Sequence, residues 1–329
     1  MKSPNDLVLQ KGVRITVLIV VLAYFLVALY WFGMSTFWAI HIIDAYYYYQ
    51  TMTRSIWWTL LFYSSELVGF VGTLLRLIAG IFAVYCAALF FLKGRESFEF
   101  IRRPVGWTLI FEGCFYLTLI PSVIIGFVFP FAENLWYFEI TPPGLIVFLV
   151  NGLACILMLL VIPPLLFILR SKIVGKKPAQ EIIKWSCLTG VAYLFIVFWF
   201  NYLLAWLASL VRWPERAQPG IEILYNPVDF VHFAITVFGL LLVAILGFVS
   251  VFPAIKGEPE KIKVKLLGVT MVGLGVYFIL IFGLYVLVGG YYAHPTVWAE
   301  LLSPKHNPDF WCMALIPLGF FLLLKSTKS

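Results

Sequence analysis

Polar residues interrupt this chain at long intervals, and the stretches between them are apolar over lengths that suit a membrane. They cover residues 15–38, 67–92, 105–130, 144–169, 185–211, 230–255, 266–290 and 310–324. A helix needs about 20 residues to cross roughly 30 Å of hydrocarbon, so the pattern predicts eight transmembrane helices. Strands of a β-barrel would alternate apolar and polar residues with period two. These stretches are oily on every side, as helices embedded in lipid and in one another are. The expected fold class is an all-α integral membrane protein.

Basic residues then orient the helices. One set of alternate loops and ends carries Lys2, Lys11 and Arg14, then Lys93, Arg95, Arg102 and Arg103, then Arg170, Lys172, Lys176, Lys177 and Lys184, then Lys256, Lys261, Lys263 and Lys265, then Lys325 and Lys328. The other set has Arg54, Arg212, Arg216 and Lys305. The positive-inside rule therefore places the N- and C-termini in the cytoplasm. A net charge of +7 spread over alternate loops is no nucleic-acid footprint, and no nucleic-acid partner is expected. Composition agrees with membrane residence: 63% of residues are hydrophobic and 12% charged. Tyr46 to Tyr49, Trp57, Trp58, Trp136, Trp213, Tyr291 and Trp298 fall at the outer ends as an aromatic belt, and residues 45–63 are expected to lie flat in it. The first apolar run is longer than a signal-peptide core and lacks a cleavage site, so it is read as an uncleaved helix. Cys86, Cys114, Cys155, Cys187 and Cys312 lie in or beside spans without C-x-x-C spacing and read as small core residues. The general look is that of a prokaryotic multi-pass protein of the plasma (cell) membrane.

The two halves of the chain repeat each other. Glu66 to Gly94 (ELVGFVGT…FFLKG) parallels Asp229 to Gly257 (DFVHFAIT…PAIKG), with Thr73 opposite Thr236. Gly106, Thr108, Gly113, Phe115 and Tyr116 fall opposite Gly268, Thr270, Gly275, Tyr277 and Phe278. IPPLLFILRSK from Ile162 resembles IPLGFFLLLKS from Ile316, and AYFLVALYWF in the first span resembles AYLFIVFWFN in the fifth. Four pairs in the same order imply a tandem duplication of a four-helix unit, residues 1–172 and 173–329. Because four is even, the two units have parallel orientation and are related by an axis along the membrane normal. The plainer alternative is a larger bundle packed through small-residue faces.

Arg76 stands near the middle of the second span. An arginine at that depth is costly, about 2.5 to 3.5 kcal/mol on insertion scales, so it needs a partner. Glu112, the other charge well inside a span, lies at a similar depth in the third. At the aligned positions the second half has Gly239 and Leu274, so both charges are absent together. Ala79, Ala83 and Ala87 share a helical face with the arginine. The pair is read either as a substrate or proton site or as an ion pair that fixes which helices meet.

A second cluster falls on the outer face: His41, Asp44, Glu66, Asp229, His232, His294 and His306. HIID and DFVH have the i, i+3 spacing of metal ligands, but no catalytic metal motif is present, and ordinary polar loop residues are the simpler reading. Haem, phosphate loops and nucleophile triads have no counterpart, so no cofactor is expected. The preferred reading is a small-solute or ion carrier with a site between the halves. Next comes a noncatalytic membrane subunit packed against partner proteins or lipids, and third an outer-face metal-dependent enzyme. Asn151, Asn201 and the span prolines Pro121, Pro163, Pro164, Pro253 and Pro317 serve equally for helix packing and bending.

The charge alternation makes a direct prediction. In single-cysteine variants, residues within 93–104 and 171–184 should resist an impermeant maleimide added to intact cells and react after permeabilisation. Labelling from outside would overturn the orientation.

Overall fold

The computed structural model describes residues 4–40, 56–121, 142–200, 203, 227–291 and 315–326, and among these the secondary structure is helical throughout, without a strand. The helices are α1 (Pro4–Ile40), α2 (Ile56–Lys93), α3 (Phe98–Leu117), α4 (Pro142–Val174), α5 (Ala179–Ala192), α6 (Pro227–Ile255), α7 (Val264–Tyr291) and α8 (Leu315–Ser326). The described part of each apolar stretch found in the sequence is helical. Five contain segments long and apolar enough to cross a membrane: Lys11–Phe37, Ser64–Lys93, Ile156–Val174, Ala179–Val197 and Val237–Ile255. The chain thus has the make-up of a multi-pass membrane protein. In α7 and α8 the described apolar segments, Val264–Tyr277 and Leu315–Leu324, are shorter. α3 opens with Glu99, Arg102 and Arg103, which leaves it a short apolar run, and the expected continuation to residue 130 lies outside the described residues beyond 121.

Every helix packs against its neighbours in sequence, and α8 returns to pack on α1, so the eight helices form a ring. Side chains fill it as two cores. Tyr116, Ile162 and Leu166 centre one, joined by Leu109, Met158, Tyr193 and Ile196. Leu240, Val243 and Leu274 centre the other, joined by Leu194, Trp199 and Leu315. α5 reaches both because it changes winding after Ala192: Tyr193–Trp199 is a π-helix, whose wider turn redirects successive side chains. No proline or glycine in YLFIVFW marks this change. By contrast, Pro163 and Pro164 in α4 and Pro253 in α6 are accommodated inside continuous helices. The flat interfacial segment expected over 45–63 is not separate in its second half: residues 56–63 run unbroken into α2, because tryptophans and leucines there suit an extended apolar helix as well as an interface.

The basic ends gather at one end of the ring. Gly12 of α1 lies against Phe321 of α8, Gly94 after α2 lies under the Arg14 guanidinium, and Gly106 of α3 faces Val174 and Arg170 of α4. Gly94 has φ +59°, a backbone that a side chain would resist even without the arginine above it.

α7 and α8 cross closely. A Cβ on Gly319 would stand 2.7 Å from the Gly268 carbonyl oxygen and 2.9 Å from the Val272 backbone nitrogen, so the two helices meet backbone to backbone. Gly319→Ala should therefore lower the melting temperature in detergent, by the equivalent of about 1–3 kcal/mol of overpacking. Gly33→Ala, where nothing lies within 4 Å, should leave it unchanged or raise it. Equal responses would contradict the crossing.

Candidate functional site

Two glycines place Arg76 where three helices meet. Gly72, Arg76 and Gly80 recur at i, i+4 and i+8 on α2. At Gly72 the Thr118 side chain of α3 occupies the space of a Cβ; at Gly80 a Cβ would stand 3.4 Å from the Phe25 Cα of α1. Ala79 and Ala87 are fully or almost fully buried, as is Ala28 across from Gly80. The small side chains let α1 and α3 close on α2, and the arginine lies in the notch between them.

The structure brings Arg76 and Glu112 together. Arg76 Nε is 3.6 Å from Glu112 Oε1. That is longer than the roughly 2.7–2.9 Å of a charge-assisted hydrogen bond, and Arg76 Nε, though buried, has no hydrogen-bond partner. Glu112 is held from the other side, where Tyr24 of α1 donates its hydroxyl to Oε2 at 2.5 Å. The guanidinium centre lies 4.7 Å from the Phe115 ring centroid and 5.7 Å from that of Tyr24, so two aromatic faces share its charge. Tyr116, buried, meets Tyr193 of the π-helical turn edge-on at 5.9 Å, and both tyrosines lie within electrostatic reach of the ion pair.

The resulting site is one carboxylate, one guanidinium and three phenols from α1, α2, α3 and α5. Its electrostatics are locally balanced but its hydrogen bonding is incomplete on the arginine. Glu112 is 10% exposed and Arg76 24%, although the arginine lies deep among the helices. A guanidinium with an unpartnered Nε–H and a reachable edge can take an anion or carboxylate; the adjacent glutamate can carry a proton.

Of the residues expected on the outer face, His41, Asp44, His294 and His306 lie outside the described residues. Asp229 and His232 fall in the first turns of α6, where the side chains are likewise outside the description, and Glu66 lies in α2. Among the described residues no three histidines, cysteines or acids are grouped to hold a metal. Tyr24, Tyr116 and Tyr193 were not singled out by sequence as site residues. A signal for two of them exists: in the matched segments AYFLVALYWF and AYLFIVFWFN, Tyr24 and Tyr193 occupy the same position. No family profile matches the chain, and neither a curated protein nor a solved structure matches it.

The pair can be tested by a thermodynamic cycle. Arg76→Ala or Glu112→Leu alone leaves one buried charge without its partner, a loss of about 3–5 kcal/mol, whereas the double change should cost much less than the sum. Melting temperatures of single and double variants in detergent check this, and additive losses would show that the two charges do not interact.

Proposed function

We propose that the protein is a carrier for a small solute or ion, with Arg76 and Glu112 in its site between two four-helix halves. In this reading all eight helices span the membrane, both termini are cytoplasmic, and residues 1–172 and 173–329 are parallel repeats about an axis along the membrane normal. The observation that carries it is convergence on one ion pair. Tyr24 and Tyr193, equivalent residues of the two repeats, both reach the Arg76–Glu112 pair, one by a hydrogen bond and one through Tyr116. A site fed by equivalent residues lies where the halves face each other, which is where parallel-repeat carriers hold their substrates.

Other matched contacts support the duplication. Gly94 and Gly257, the aligned exits of α2 and α6, both have positive φ, +59° and +97°. Arg76 packs on Phe115, and its counterpart Gly239 packs on Tyr277, the counterpart of Phe115. Leu274, opposite Glu112, is buried in an apolar core. In this reading the second half repeats the packing with the charge removed, and the site is asymmetric. An ionisable pair kept at depth in one repeat and dispensed with in the other is not needed by the architecture itself.

An arginine with an unmet Nε–H donor favours an anionic solute, and the neighbouring glutamate favours accompanying proton movement. Proteoliposomes should take up at least one of acetate, lactate, nitrate or phosphate faster than empty liposomes. Arg76→Gln should reduce that uptake by about tenfold or more, the loss of one charge-assisted hydrogen bond. Arg14→Gln, at the basic end, should not. Uptake equal to that of empty liposomes for every solute would overturn the proposal for anions.

A further inference from the structure

We propose a second anion site, for a phosphate group, at the basic end of the seam between α3 and α4. Glu99, Arg102 and Gly106 share one face of α3 at i, i+3 and i+7. Along this face α4 approaches closely, with Val174 and Arg170 against Gly106 and Lys176 Nζ 3.3 Å from Glu99 Oε2. Arg102 lies between these contacts, with Nη2 3.3 Å from Glu99 Oε1. Arg102 and Lys176 therefore meet on one carboxylate, and the Arg170 stem lies against Gly106 about one turn further along the same face. Even with Glu99 ionised, the cluster keeps an excess of two positive charges.

The excess is also visible in the hydrogen bonds. Arg102 Nη1 and Arg170 Nε are buried with no hydrogen-bond partner. Lysines in this region are provided for: Lys172 bonds to Glu181 at 3.2 Å and Lys176 reaches Glu99. The two arginines are the groups left short, and a planar guanidinium is the side chain best matched to phosphate oxygens. A buried donor left without an acceptor is destabilising, so an anion that turns either guanidinium toward it gains what the empty seam lacks. Lys176 adds a third contact. Its backbone has φ 53°, an uncommon conformation for a lysine, and it stands in the turn after α4 with its side chain reaching Glu99 of α3.

The position favours a phosphate borne by lipid. Phe100 and Trp107 on α3 expose 63% and 47% of their surface beside these charges, and Val174 is also exposed, so apolar side chains adjoin the basic groups as acyl chains adjoin headgroups. Basic recesses between helices at the cytoplasmic end suit anionic headgroups. A free phosphate would meet the same donors.

Native mass spectrometry of the detergent-purified full chain separates the cases. With phosphatidylglycerol and phosphatidylcholine of identical acyl chains, the wild-type protein should retain the former in preference. Arg102→Gln with Arg170→Gln should weaken that retention by about thirtyfold, taking two basic groups at their usual weight near a membrane surface. Lys replacements at both positions should recover part of it, and Lys263→Gln, in the matching loop of the other half, should leave it unchanged. Displacement of the lipid by millimolar inorganic phosphate would keep the site and make the free anion its ligand. Equal retention of the two lipids by the wild-type protein overturns the proposal without reference to any variant, and so does unaltered retention by a folded double Gln variant.

Discussion

A guanidinium in the apolar middle of α2 constrains every helix around it. Lipid cannot solvate it, so its environment must be assembled from other helices, and these must come close enough for side chains to reach. Gly72 and Gly80, one turn to either side, supply that closeness to α3 and α1. Phe115 and Tyr24 then cover the guanidinium, Glu112 offsets its charge, and Tyr24 fixes the carboxylate. Three helices are thereby committed to one mutual arrangement. α6 and α7, which carry Gly239 and Leu274, meet through an apolar core instead.

The parts of this arrangement that sequence made legible were those that broke a pattern. Helix positions followed from long apolar runs, and Arg76 and Glu112 stood out because charges in such runs are exceptional. Tyr24, Tyr116 and Tyr193 did not, since tyrosine is common in this chain, 17 in all, and an aromatic ring suits lipid, core or site equally. Which of them meets an ion pair depends on how helices rotate about their axes, a property of packing and not of composition. Gly72 and Gly80 were similarly hidden: glycine is frequent in membrane helices, and its meaning appears only once Thr118 and Phe25 are seen against it. The basic seam was half visible. Charge alternation placed Arg102 and Arg170 at one end, but their nearness across α3 and α4, and their shortage of acceptors, are tertiary facts.

The two basic features have opposite characters. Arg76 is deep, aromatic-lined and matched by one carboxylate. Arg102 and Arg170 are peripheral and outnumber their carboxylate. A deep balanced pair leaves little net field around it, whereas an unbalanced shallow cluster leaves a positive one.

The winding of α5 has a consequence for motion. A π turn is the mark of one residue more than the α-helical path needs, and such a surplus can pass along a helix by exchanging one hydrogen-bond partner at a time. Tyr193 and Ile196 lean on one core while Leu194 and Trp199 lean on the other. Migration of the surplus within Tyr193–Trp199 would rotate the side chains it passes by about a quarter turn or slightly more. The helix is in this sense a screw thread with one slack pitch, set between the two cores that its side chains touch.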